Sequence, residues 1–212
     1  MGILPQGIHG PMINKTGAVI GRMQKGQNII VGLYKKRTSK RVMTSNQTSS
    51  NNRLGLLSSF LSDISDFVNE GFKKMVKHNS PVNAALSYNY DHAFIESDGI
   101  SVLNYPKMVY SIGDVEPPES PKIECLDGLM ELSWFDMPQS KFCQYADRAS
   151  VLIYDPVEHQ CVAFQNMCSR SDLSVLLDVS TLIGTLVHCY VCFTSADGKK
   201  QGNSLYLGLV QV

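Results

Sequence analysis

From Pro121 to the end, the chain breaks into short apolar segments closed by turn signals, and this rhythm constrains the fold more than any other feature. The segments run 121–126, 130–135, 151–154, 161–164, 173–179, 187–194 and 205–212. Met130, Leu132 and Trp134 alternate with Glu131, Ser133 and Phe135. Leu173, Val175, Leu177 and Val179 alternate with Ser174, Leu176 and Asp178. A period of two sends successive side chains to opposite faces of a strand. Asp155-Pro156 and Ala196-Asp197-Gly198 punctuate the pattern as turns. Short strands at this spacing predict two antiparallel sheets packed face to face.

Two of these strands carry a resemblance. Leu132-Ser133-Trp134 on the second and Tyr190-Val191-Cys192 on the sixth resemble the fibronectin type III pattern. In that family a Trp of strand B and a Tyr of strand F carry the core, which implies those roles for Trp134 and Tyr190. One departure is that both faces of the sixth strand are apolar, which leaves its register open. Modules of this kind bind or space; they seldom catalyse.

Upstream, Gly113-Asp-Val-Glu-Pro-Pro-Glu-Ser-Pro121 places three prolines in five residues. That composition favours stiff, extended backbone and reads as a linker. Before it, Tyr105 to Ile112 reads as a strand, and Asp98-Gly99 as a turn. Pro81 opens a short helix over 81–90. A longer helix is expected over 46–77, with Leu54, Leu57, Leu61, Ile64, Val68, Phe72 and Met75 in steps of three and four. Such a stripe is one apolar helix face, more often turned to the chain's own core than to a coiled-coil partner. Thr44 and the Ser- and Asn-rich residues after it are good N-caps.

The first 34 residues contain seven glycines and two β-branched runs, Ala18-Val19-Ile20 and Asn28-Ile29-Ile30-Val31. Lys25-Gly26 between them predicts a β-hairpin. A lone hairpin is barely stable in water and needs a host. The expected class is therefore α+β. It comprises a Gly-rich basic arm with a hairpin over 1–44, a helical region with one strand over 45–112, a linker over 113–121, and an all-β immunoglobulin- or fibronectin III-like sandwich over 122–212.

Charge divides the chain along the same line. Residues 1–62 hold nine basic side chains and no acid, while the remaining 150 hold ten basic and nineteen acidic ones. The neutral total hides a basic arm on an acidic body. Lys35, Lys36, Arg37, Lys40 and Arg41 concentrate five cations in seven residues. They are the candidate contact for phosphate or for an acidic protein face. No aromatic follows Tyr34 in that run, so base stacking is poorly supplied and any nucleic-acid contact would be blind to sequence.

The whole chain also resembles an uncharacterised group of proteins of about 200 residues from Bacteroidota and their mobile elements. The Met-Gly opening, Gly7 to Gly10, Thr16-Gly17-Ala-Val-Ile-Gly21, Lys25-Gly26, Lys35-Lys36, Asn83-Ala84-Ala85-Leu86-Ser87-Tyr88-Asn89 and Ser195-Ala196-Asp197-Gly198 carry the likeness. That group has no established activity, so the resemblance implies an architecture and no mechanism.

Motifs for chemistry are sparse. Cys189-Tyr-Val-Cys192 is a C-x-x-C without the second pair that structural zinc needs, and on a strand its thiols point to opposite faces. Cys125, Cys143, Cys161 and Cys168 are expected as reduced thiols like these two. No G-x-S-x-G occurs, and Gly17 to Gly26 lacks the register of a phosphate-binding loop. Tyr88, Tyr90, Asp91 and His92 read as packing at a helix end. No catalytic, metal or cofactor residue is expected. No run of about 18 apolar residues would span a membrane, and the N-terminal segment lacks a signal peptide's apolar stretch. The expectation is a non-enzymatic structural or assembly protein of the virion or cytoplasm, for example a phage capsid or tail component. It would form homo-oligomers or multi-protein assemblies locked by the N-terminal arm. The alternatives are a nucleic-acid-binding module using residues 35–41, and a surface adhesion module.

Overall fold

A computed structural model describes residues 3–6, 10–24, 26–33, 42–76, 79–97 and 99–212. The chain forms two compact units, Met1–Met43 and Thr44–Val212.

In the first unit three antiparallel strands, β1 (Asn14–Thr16), β2 (Val19–Gln24) and β3 (Gln27–Gly32), pair in that order. Gly17 and Gly26 take left-handed backbone at the two turns, which L side chains resist. β1 adds a strand to the expected β2–β3 pair. Met12 lies across Gly21, where an added Cβ would come within 2.1 Å of its carbonyl oxygen. The Asn28 amide clamps the same residue, donating to Met12 O at 2.9 Å and accepting from Met12 N at 3.2 Å.

The second unit begins with a capping box. Thr44 Oγ1 accepts from Gln47 N, and the Gln47 side chain accepts from Thr44 N at 3.1 Å. The helix expected over 46–77 is broken. α1 (Ser45–Asp63) stops at Ile64, α2 (Ser65–Gly71) follows, and a 3-10 turn spans Lys73–Met75; Lys77 lies outside the described residues. Ile64 leaves helical geometry at φ −106° and ψ 24°. Beside it the Asp63 carboxylate accepts from Tyr154 Oη at 3.1 Å, which ties the helix end to the sheet. The three-four stepping continues across the break, so Leu57, Leu61, Ile64, Val68 and Phe72 are all buried, joined by Phe60 and Phe67. Leu54 and Met75, at the two ends of the stripe, are exposed.

Ser80 caps α3 (Pro81–Asn89), and β4 (Phe94–Ser97) pairs with β5 (Ile100–Leu103). The strand expected at 105–112 is absent. Tyr105–Lys107 is a 3-10 turn around Pro106, and the residues after it bond singly instead of in a ladder. Buried Asn89 bonds both backbone groups of Val109, while Tyr110 N donates to Ser204 Oγ at 3.1 Å.

The seven sandwich strands are β6 (Glu119–Leu126), β7 (Leu129–Phe135), β8 (Arg148–Asp155), β9 (Gln160–Ser169), β10 (Ser174–Asp178), β11 (Leu186–Thr194) and β12 (Leu205–Gln211). They form one sheet in the order β10-β7-β6 and another in the order β12-β11-β8-β9. This is the strand order of a fibronectin type III sandwich, so the fold is α+β with a fibronectin III-like module.

Two cores flank the larger sheet. Between the sheets lie Met130, Leu132, Trp134, Val151, Ile153, Leu177, Val191 and Phe193. Trp134 donates from Nε1 to Arg170 O at 2.9 Å and meets the Phe193 ring edge to face. On the other face, Leu152, Tyr154, Tyr190 and Cys192 join the helical residues in a second core. The resemblance placed Tyr190 in the same core as Trp134. It is fully buried, but under the helices, with its hydroxyl donating to Tyr105 O at 2.9 Å.

This second core explains why both faces of β11 are apolar: the strand is covered on both sides. It also removes the boundary expected at 113–121. That segment is stitched down, with Gly113 N donating to Asn203 Oδ1 and Val115 N to Gln201 O, both at 3.1 Å. An added Cβ at Gly113 would come 1.8 Å from Gln201 O. Among the described residues no helix is long and apolar enough to cross a membrane.

Candidate functional site

The expected contact residues Lys35, Lys36, Arg37, Lys40 and Arg41 lie outside the described residues. What the structure shows of the N-terminal unit is the sheet formed by residues that precede them in sequence. Its strand pairing puts Lys15, Ile20 and Val31 in one row and Arg22 and Ile29 in the next, on one face. Lys15 and Arg22 are exposed, and the three aliphatic side chains are half-buried. The opposite face carries Met12 over Gly21, together with Val19 and an exposed Ile30.

The second unit holds a cleft of about 640 Å³ between α2 and the ends of β8, β9 and β11. A bulge opens it. Ala149 pairs with Cys168 and Val151 with Phe164, so residues 165–167 swing out opposite Ser150. Asn166 takes left-handed backbone there, and its N–H donates to Ser150 Oγ at 3.0 Å. The walls are Phe67 and Glu70 from α2, Arg148 from β8, Gln165 from the bulge, and Ser195 and Gln201 from the loop after β11. Tyr110 also lines it. Its buried hydroxyl has no hydrogen-bond partner among the described residues, and burial raises its pKa well above the usual value. The Cys192 thiol, likewise at the cleft, is pushed up by burial and stays protonated. The cleft offers amides, hydroxyls, the Glu70 carboxylate and the Arg148 guanidinium.

Two further polar clusters are structural. Tyr154 Oη lies 3.1 Å from Asp63 Oδ2 and 3.0 Å from His159 Nδ1, and burial followed by Asp63 raises its pKa. A tyrosine so held is a poor acid and serves as a clasp between α1 and β8. Tyr88 meets Phe72 and His92 edge to face, and the Arg53 guanidinium sits over Tyr90 and Phe94. These rings pack at the end of α3.

Cys189 and Cys192 point into different cores, so they cannot share a metal. All six cysteines are free thiols, and burial pushes Cys189 up to about 12 and Cys161 and Cys168 up to about 11. Among the described residues no group of three or more His, Cys, Asp or Glu is placed to hold a metal ion.

Comparison with known proteins decides the family. The profile of a family of unknown function, DUF6266, matches residues 9–208. The chain belongs to DUF6266. The matched span takes in both compact units, so the N-terminal sheet is part of the DUF6266 layout along with the sandwich. No curated protein matches. Among solved structures, the chicken CNTN1 FN1-FN3 domains are similar over 48% of this chain and 34% of that chain, at 13% identity and a TM-score of 0.35. The DUF6266 chain thus spans about a third of that structure's length. The fold assignment rests on its own strand order.

The cleft was not legible in the sequence. Its walls come from five separate segments between Phe67 and Gln201, and its opening depends on a bulge that alternation does not reveal. Asn166, a residue type that tolerates left-handed backbone, was the one local signal.

Proposed function

We propose that this DUF6266 protein is a non-enzymatic structural protein that assembles through its N-terminal unit. The observation that carries this reading is a sheet without a core. Among the described residues of Met1–Met43, Met12 is the single buried hydrophobic side chain. Ordering backbone costs about 1–2 kcal/mol per residue, and a few half-buried aliphatics do not offset that over such a unit. Small isolated sheets are marginal for the same reason. The missing burial is supplied by a neighbour.

Charge supports the same reading. Met1–Met43 has eight basic side chains and no acid, whereas Thr44–Val212 has eleven basic and nineteen acidic ones. Copies arranged with one basic unit on the next acidic unit attract. The likeness to a group found on mobile elements makes a phage virion part the specific setting we favour.

Trypsin tests the reading, because Lys15 and Arg22 offer cleavage points in the exposed strands. Cleavage within residues 15–41 should be fast in dilute protein and slow down with increasing concentration as copies cover one another. Equal rates at every concentration would oppose an interlocking role.

A further inference from the structure

The three-stranded sheet β10-β7-β6 has one face in the inter-sheet core and the other open. Strand pairing orders the open face in rows. Leu126, Leu129 and Asp178 form one row, Glu124, Glu131 and Leu176 the next, then Lys122, Ser133 and Ser174. Leu126 is 76% exposed, Leu176 66% and Leu129 54%. Clustered leucines on an open sheet face mark an interaction surface. Beside them, Glu124 and Glu131 stand directly opposite across β6 and β7. Like charges so placed are about 5 Å apart and repel. Lys122 in the next row offsets part of that repulsion, and Asp178 adds a further negative charge, so the face stays net acidic and open to a cation from outside.

The N-terminal sheet offers the complement. Its Ile20, Ile29 and Val31 share a face with Lys15 and Arg22, which are diagonal neighbours about 7–8 Å apart. No acid exists anywhere in residues 1–62 to neutralise these two within their own unit. Two small sheet faces, each with three aliphatics, carry opposite net charge: Lys15 and Arg22 on one, and Glu124, Glu131 and Asp178 against a single Lys122 on the other. Sheets pack face to face at about 10 Å, a separation that long Lys and Arg side chains bridge.

We propose that the Lys15 and Arg22 face of the N-terminal sheet docks on the Glu124 and Glu131 face of the sandwich of a second copy. This rests on the assembly reading and names its surface. The contact is head to tail, so each copy both gives its N-terminal sheet and receives another. A heterologous contact of this kind continues into rings or filaments.

Charge reversal with mixing tests it. One variant carries Lys15→Glu and Arg22→Glu, the other Glu124→Lys and Glu131→Lys; all four positions are exposed, and near-ultraviolet circular dichroism checks that each variant keeps the native fold. Each variant alone should fall to the single-chain mass of 23.5 kDa. An equimolar mixture should recover the wild-type mass, since each reversed face then meets its opposite. Glu124→Gln with Glu131→Gln should weaken assembly and reduce its sensitivity to salt. Variants that keep the wild-type mass, or a mixture that stays monomeric, would overturn this interface while leaving self-assembly standing. Single variants and a mixture that all stay monomeric would also result from docking within one chain, and count against the proposal. A wild-type protein that is monomeric at every concentration would overturn both this interface and the assembly reading.

Discussion

Arg170 and Asp147 place opposite charges inside the end of the sandwich, with side chains 2% and 3% exposed and Nε 3.5 Å from Oδ2. The guanidinium also bonds the carbonyls of Glu116 and Pro117 and lies 3.9 Å over the Phe193 ring. One residue thereby fastens the Pro-rich segment to the core. Arg170→Met keeps the volume and leaves the Asp147 carboxylate buried without its cation. Breaking such a pair costs about 3–5 kcal/mol, to be read as a lower urea midpoint. His188 makes a second prediction. It stacks on Tyr105 at 4.0 Å, with Nδ1 2.9 Å from Tyr206 Oη, and burial lowers its pKa from 6.5 to about 4. The fold therefore holds the neutral ring. Its contribution is complete above pH 6.5 and drains away as pH falls toward 4; the ring is only half-buried and screened by solvent, so the loss is about 2 kcal/mol instead of the full value of the shift. His188→Phe keeps the stack and should flatten that part of the stability profile, measured by urea unfolding from pH 7 to 4.5. A variant with the wild-type slope would place the acid sensitivity elsewhere.

At the level of elements, the helices and the larger sheet are one cooperative body. Leu152, Tyr154, Tyr190 and Cys192 on the outer face of β8 and β11 are covered by α1 and α2. A fragment 118–212 exposes that face and loses the bonds of residues 110–115 to the 201–204 loop. It should aggregate or unfold without cooperativity, whereas Thr44–Val212 should give a single transition in urea. Cooperative unfolding of 118–212 at the stability of the longer chain would show the helical layer to be an accessory. The strands themselves were legible: alternation marked β7 and β10, and turn signals bounding short apolar runs marked the other five. Trp134 in the inter-sheet core was legible too. The helical cover was not. Period-two patterning reports that a strand has one wet face, but β8 and β11 have none, and an apolar run does not say what lies on it. The break at Ile64 was hidden for the converse reason: the apolar stripe continues in register on both sides of it. The strand expected at 105–112 failed because β-rich composition does not report that Asn89, Ser204 and Gly71 satisfy its backbone from three separate segments instead of from one partner strand.

Across the whole molecule, a neutral total charge conceals two units of opposite sign, and this matters for association more than for fold. The unit rich in cations has the least core, and the unit rich in acids has an open leucine-bearing face. Light scattering on two chains tests most directly whether residues 1–43 join copies together. The full chain, Met1–Val212, should have a mass several times 23.5 kDa, while Thr44–Val212 should remain folded and run as a single chain. A full-length protein that runs as a single chain, or a Thr44–Val212 chain that assembles as the full one does, would contradict that role of residues 1–43.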